Sequence, residues 1–484
     1  MSSFFCKQCL KTMINSFLSV RSNLFSYVPN VTLACKRYIQ TIKVGIIGSG
    51  PAGFYTAQAL LKDSRVLIDI YEKYPVPFGL IRFGVAPDHQ SNVINSFTNT
   101  ALQDRVSFYG NINIGQDVTL NQLLKSYNAV VLCYGATEDR KLNIEGEDLI
   151  NVLPARRFVG WYNGIPQDSD LNPFLQTEDV VIIGHGNVAL DCARILLSPS
   201  TDITNHALTA LRESKVKRVY LVGRRGPLQV SFTIKELREL TKLPGCDTIV
   251  FPEDFKNITA ETINELPRPR KRLTELLLSL ANEKNLNNNH KRCVLMFCRS
   301  PLQIVGDKHG KVSSVNLGVN RLIQQEDGVK TELTDEKEIL KCGLFLRSIG
   351  YRAVSIDPSI PLNDKTGVIS NTNGKVHGFD FGLYCSGWAA TGATGVIIGT
   401  MNASFEIAEH ILKDFGQNEP LLVEKPGATE IIPHLKSKGV KVVTFNDWQR
   451  IDELEKNLGS QLGKPREKLV NQKDMIKAVD EEKD

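Results

Sequence analysis

Acidic residues are missing from the start of this chain: the first Asp or Glu among its 484 residues is Asp63. Long apolar runs are missing too. No uncharged stretch reaches the roughly 18–20 residues that span a bilayer, which excludes an integral helical membrane protein. Beyond residue 42 there is no C-x-x-C pair. The seven cysteines there (Cys133, Cys192, Cys246, Cys293, Cys298, Cys342 and Cys385) show neither zinc-ligand nor disulfide-framework spacing. That pattern fits a reducing compartment and excludes an internal redox dithiol. The one C-x-x-C, Cys6 to Cys9, lies in the leader described next. A general basic excess is also lacking, because the net charge of +5 is local. Lys7, Lys11, Arg21, Lys36 and Arg37 account for it, leaving 53 cations against 53 acids after residue 42. A nucleic-acid binder would be basic across its folded part, so that class is disfavoured.

What is present begins with that leader. Residues 1–42 are Ser-rich and cationic, with Phe, Leu, Ile and Val interspersed, and they lack the compact apolar core of a secretory signal. This is the composition of a mitochondrial transit peptide and predicts the matrix as destination. The remaining length and near-average composition (42% hydrophobic, 23% charged) predict a soluble chain of two or three domains.

Two Gly-rich turns organise the rest. The apolar run 43–47 enters Gly48-Ser49-Gly50-Pro51-Ala52-Gly53, a helical pattern follows, and a second apolar run, 66–71, ends at Glu72. Strand, G-x-G-x-x-G, helix, strand and acid within about 30 residues form a dinucleotide-binding βαβ unit. Gly48, Gly50 and Gly53 serve the tight turn, the close approach to pyrophosphate and helix packing; Glu72 is placed to accept ribose hydroxyls. A second unit starts at 179–183, with Gly184-His185-Gly186-Asn187-Val188-Ala189 opening its helix. Its next strand, 218–223, ends not in an acid but in Arg224-Arg225. Two guanidiniums there favour a 2′-phosphate, so the second site reads as NADPH and the acid-ended first site as FAD.

Two further segments fit a nicotinamide passing hydride to a flavin. AVVLCYGAT at 129–137 reads as a strand and crossover turn. GLYCSGW at 382–388, then GATG at 392–395, precedes a helical pattern over 396–412 whose N-terminus would face the flavin. The predicted fold class is therefore α/β, with two Rossmann-like domains and the NADP domain inserted into a discontinuous FAD domain. The expected boundaries are 43–139 and 344–484 for FAD, the latter with a C-terminal extension, and 140–343 for NADP. Within the extension, 440–445 reads as a strand, 447–458 as a helix, and the charged end after Glu467 as a frayed tail.

The motifs PFGLIRFGVAPDH (77–89), FVGWYNG (158–164), VGRRGPLQVSFT (222–233), KELRE (235–239), PRPRKR (267–272) and GKPREKL (463–469) resemble the adrenodoxin reductase family of mitochondrial ferredoxin–NADP reductases. The resemblance runs through essentially everything after residue 42. It implies FAD at Ala52, Glu72, Leu80, Ile114, Trp388, Gly395, Val396 and Ile397. It implies NADP at His185, Gly186, Asn187, Val188, Arg224, Arg225, Glu236 and Gly395. Two departures stand out: Ala390-Thr391-Gly392-Ala393 occupies the place of the family's Lys-Arg-Gly-Pro, and His185 that of its Gln.

With no dithiol, the electron outlet is an external acceptor, and a one-electron carrier such as an acidic [2Fe–2S] ferredoxin suits a flavin. Such a carrier serves P450 or iron–sulfur assembly systems, and the sequence does not choose between them. Arg238 and Lys242, with the dense cluster Arg268, Arg270, Lys271 and Arg272, form the expected docking face. His89 and Asp191 are candidates for a proton path. A monomer is expected, with peripheral association at the inner membrane left open. Two other readings remain on the same sequence: an NADPH-dependent quinone or dye oxidoreductase, and a non-catalytic flavoprotein interaction module.

Overall fold

The computed structural model describes residues 41–84, 91–199, 202–283, 291–326, 328–380, 382–417 and 419–480. The leader reading over 1–42 and the assignment to His89 therefore lie almost wholly, or wholly, outside the described residues.

Two sheets carry the chain. The first has eight strands, ordered Asn371–Thr372, Lys375–Val376, Leu383–Cys385, Ala129–Leu132, Ile42–Ile47, Val66–Tyr71, Val106–Gly110 and Val443–Thr444. From Leu383–Cys385 to Val106–Gly110 the pairing is parallel, with Val44 opposite both Ile68 and Ala129. Strands buried on both faces read as continuous apolar runs, as the buried stretch 44–47 and Ala129 to Leu132 show. The helix Pro51–Leu60 is buried nearly all round, between the long helix Ile397–Gln417 and the helix Ser91–Ala101, with Phe54 stacked on Phe97 at 4.9 Å. Four strands of the first sheet and the long helix packed on it thus come from more than 300 residues beyond its first strand.

The second sheet is wholly parallel, ordered Val152–Pro154, Leu344–Arg347, Asp179–Ile183, Arg218–Val222, Lys291–Met296 and Cys246–Val250. Its strand Leu344–Arg347 shifts the second crossover: the expected break between 343 and 344 falls ahead of a strand that pairs with Val180 to Ile183. The four-residue run LFLR lacks the turn residues that would have tied it to either side.

Two features depart from the sequence reading. Arg299–Gly306, Val312–Gln325 and Gly328–Lys341 form a three-stranded antiparallel sheet. Its last strand carries mostly polar residues, so no clean two-residue period marks it. The frayed tail is instead, in part, a packed helix, Gln472–Asp480, whose Met475 and Val479 join the first core. Upstream, Thr444 and Asp447 form a capping box that starts the helix Phe445–Gln461 two residues before the expected position.

Candidate functional site

The first Gly-rich turn is shaped by close approach. Gly48 has φ +104°, and a Cβ there would lie 2.7 Å from the Cys133 carbonyl oxygen, so no side chain fits where the chain crosses the end of the neighbouring strand. A Cβ on Gly53 would meet the Gly48 carbonyl at 2.1 Å, which lets the helix start directly under the turn. Glu72 is fixed by the turn itself: Oε2 accepts from Ser49 N (2.9 Å) and Ser49 Oγ (2.6 Å), and Oε1 accepts from Tyr74 N (3.2 Å). Leu80 opens the short helix Leu80–Phe83, whose preceding Gly79 sits against Gly50. Ile114 is buried beside Val118.

The far end of the chain closes this site. A Cβ on Gly387 would come within 2.3 Å of Ala52 Cβ, so Trp388 starts its helix directly on the first turn. Thr56, Ser386 and Ser404 link the three elements by hydroxyl hydrogen bonds of 3.1 Å. Trp388 in turn stacks on Tyr351 at 6.1 Å, just beyond the second sheet's strand Leu344–Arg347. Gly395 and Val396 lead into Ile397–Gln417, and Val396 is exposed.

The second turn repeats the first. Gly184 has φ +125°, and its Cβ would lie 2.1 Å from the Ser348 carbonyl oxygen. His185 turns inward: Nε2 hydrogen-bonds to the Leu221 carbonyl at 3.0 Å, and the ring packs 4.9 Å from Phe297. A carbonyl only accepts, so Nε2 carries the proton. Burial pushes the imidazole pKa down to about 4, which keeps it neutral near pH 7. The His185 carbonyl accepts from Ser231 N and Phe232 N, and Asn187 Oδ1 accepts from Thr233 N at 2.9 Å. Thr233 Oγ1 bonds Glu236, so Glu236 reaches the rim through Asn187 and Thr233.

The second turn and the Trp388 segment meet in one open cavity of about 1070 Å³. Its lining joins the second turn and Arg224–Arg225 at one side to Trp388 and Gly395 at the other. That joins every expected NADP residue except Glu236 to two of the expected FAD residues. Nothing lies within 4 Å of a Cβ built on Gly50, Gly186 or Gly395, so at both turns backbone faces open space, the shape a pyrophosphate needs. Arg224 and Arg225 are exposed at the mouth; partial burial, then the like charges of Arg224 and Arg270, lower the pKa of Arg225.

The antiparallel sheet supplies residues that no local pattern announced. Asn320, buried at a bulge, donates from Nδ2 to the Arg224 carbonyl (2.9 Å) and to Ser300 Oγ (2.8 Å). Cys298 N bonds the Arg225 carbonyl, with Cys298 held at φ +54°. Arg299 lines the cavity, paired with Glu338 at 2.9 Å and Asp254 at 3.6 Å.

The remaining expectations divide. Asp191 is ion-paired with Arg194 (3.2 Å), which also holds Glu239 (3.0 Å); its suggested companion His89 lies outside the described residues. Arg238, Arg268 and Arg272 are exposed, as is Lys242. Arg270 is not displayed with them: it turns back to donate from Nη1 to the Val230 carbonyl at 2.6 Å, toward Arg225. Lys271 bonds Asn264 Oδ1 at 2.8 Å.

The family model of pyridine nucleotide-disulphide oxidoreductases matches residues 42–240. Human mitochondrial NADPH:adrenodoxin oxidoreductase is 49% identical over 455 residues, covering 91% of this chain and 92% of the relative. The chain belongs to the NADPH:adrenodoxin oxidoreductase family. A Drosophila melanogaster member is 45% identical, with 91% of this chain and 94% of the relative covered. Among solved structures, Mycobacterium tuberculosis FprA in complex with NADPH superposes with a TM-score of 0.86 at 36% identity, covering 91% of this chain and 99% of that one. Ala390 and Thr391 lie at the end of the Trp388 helix, where Ala390 is buried and its carbonyl accepts from Asn371.

Proposed function

We propose that this chain transfers electrons from NADPH through FAD to a mitochondrial ferredoxin. The cavity that joins the second Gly-rich turn to Trp388 and Gly395 supports the reading most directly, because Gly387, just before Trp388, packs against Ala52 of the first turn. The names of the curated relatives agree with it, and those relatives are called mitochondrial.

When bound, NADPH supplies a hydride and FAD accepts its two electrons and passes them on singly. The chain's own contribution is placement. The Gly48–Gly53 turn offers backbone N–H groups to one pyrophosphate, with Glu72, Leu80 and Ile114 flanking. The Gly184–Ala189 turn serves the other, and Arg224 and Arg225 take the 2′-phosphate. Trp388 and the start of Ile397–Gln417 sit between the two, where the helix end adds a positive dipole. All seven described cysteines are free, and six are buried, which supports an external electron acceptor. A proton path through Asp191 would include its ion pair with Arg194.

The partner we infer is an acidic [2Fe–2S] ferredoxin docking on Arg238, Arg268 and Arg272. No described helix is long and apolar enough to cross a membrane. NADPH-driven reduction of a purified [2Fe–2S] ferredoxin by the holoprotein, followed across a salt titration with NADH as control, tests the whole reading. NADPH-selective turnover that falls with salt is expected. Flavin reduction without ferredoxin turnover would overturn the acceptor and favour a quinone- or dye-reducing activity.

A further inference from the structure

The stretch 463–469 has no part in either nucleotide turn, yet it crosses from one core to the other. Lys464 Nζ donates to the Ile203 carbonyl at 2.7 Å, and Ile203 belongs to the core of the second sheet. Glu467 accepts from Asn205 N at 2.9 Å, at the start of the helix Asn205–Arg212, and also pairs with Lys464. Lys468 Nζ runs the other way and donates to the Arg82 carbonyl at 2.6 Å. The Arg82 guanidinium meets Glu455 at 2.5 Å; Glu455 also accepts from Arg466 (3.0 Å) and Leu469 N (2.9 Å). The exposures are 8% for Lys464, 6% for Lys468, 3% for Arg82 and 0% for Glu455. Charges buried to this degree are costly unless paired, so each of these contacts specifies one arrangement and penalises its neighbours. Backbone packing agrees: a Cβ on Gly459 would lie 2.3 Å from Arg466 Cα.

Both ends of this stretch stand one element from a nucleotide turn. Arg82 lies in Leu80–Phe83, whose preceding Gly79 touches Gly50. Thr204, between Ile203 and Asn205, bonds the Trp161 and Tyr162 carbonyls of the helix Ala155–Asn163. That helix packs on Asn187–Leu197, the helix opened by the second turn.

We propose that residues 464–469 are an interdomain strap, with Lys464, Glu467 and Lys468 as positioning residues that set the approach of the two nucleotide units. The inference rests on the NADPH-to-FAD reading above. Hydride transfer is steep in donor–acceptor geometry, so a small loosening lowers its rate while each nucleotide keeps its own contacts.

The test uses the holoenzyme with Lys464→Met and Glu467→Gln combined, against the parent. Single-turnover flavin reduction over a range of NADPH concentrations separates the limiting rate from NADPH affinity. Hydrogen exchange at the Asn205 amide reports strap release independently of turnover. A limiting rate lower by on the order of tenfold, faster exchange at Asn205, and FAD content and NADPH affinity within about twofold are expected. A parental limiting rate despite faster exchange overturns the proposal, and so does a rate loss matched by FAD loss or weakened NADPH binding. Should the double variant not fold, Glu467→Gln alone removes the ion pair but keeps an acceptor for Asn205 N; a reduced limiting rate with parental FAD content and NADPH affinity is then expected, and a parental rate overturns it. A parent whose flavin NADPH does not reduce would instead overturn the underlying reading.

Discussion

Replacing Arg224 and Arg225 together by Ala is the sharpest perturbation of the nucleotide assignment. Both guanidiniums stand at the cavity mouth, neither has a carboxylate within salt-bridge distance among the described residues, and Arg270 adds like charge behind Arg225. A surplus of cation with no internal anion is what a 2′-phosphate would neutralise. Hydrogen bonds to charged groups contribute roughly 1.5–3 kcal/mol each, so two give about 3–6 kcal/mol, or about 10²–10⁴ in preference. Exposure and salt reduce this, since the screening length is about 8 Å at physiological ionic strength. A fall of about 10² in the NADPH/NADH ratio of kcat/KM is therefore expected, carried almost wholly by weaker NADPH use. The assay is steady-state reduction of a dye with each nucleotide at fixed ionic strength. A ratio within about threefold of the parent would refute the assignment and move the 2′-phosphate elsewhere in the cavity.

Two other outcomes follow from the same geometry. His185 is held neutral with a pKa near 4, below its ordinary value, so between about pH 6.5 and 4 the unfolded chain binds more protons than the folded one. Its contribution is intact above pH 6.5 and is lost as pH falls through that window, by at most roughly 3 kcal/mol; melting temperature against pH should flatten in His185→Gln, and parallel curves would refute the burial argument. Charge reversal at Arg268 and Arg272 should lower ferredoxin turnover at low salt and leave NADPH-driven flavin reduction unchanged, whereas Arg270→Glu should raise KM for NADPH. Equal effects of all three on ferredoxin turnover would refute the separation of Arg270 from the docking face.

Local chemistry determined much of this protein without tertiary help. Gly48 and Gly184 are legible because each sits where backbone crosses backbone and only glycine fits, so strand, turn and helix must follow in that order. The positions of Glu72 and Arg224–Arg225 are legible because each follows the end of an apolar strand, Val66–Tyr71 and Arg218–Val222. The start of Ile397–Gln417 and the buried strands were readable from their apolar patterns, although the helix runs five residues past the expected end at 412. Asn320, Arg299 and Cys298 were not, since their roles arise from a hairpin folding back onto Arg224 and Arg225 across some 75–95 positions, and polar residues on a half-exposed ribbon carry no period. Arg270 belonged by composition to a basic cluster, but helical rotation carries it toward Val230 and away from its neighbours. The side to which Leu344–Arg347 belongs, the packing of Met475 and Val479, and the crossing of 463–469 between the two cores depend on which buried surface is free when the sheets come together. Such choices are made by the assembled cores, and short-range pattern holds no record of them.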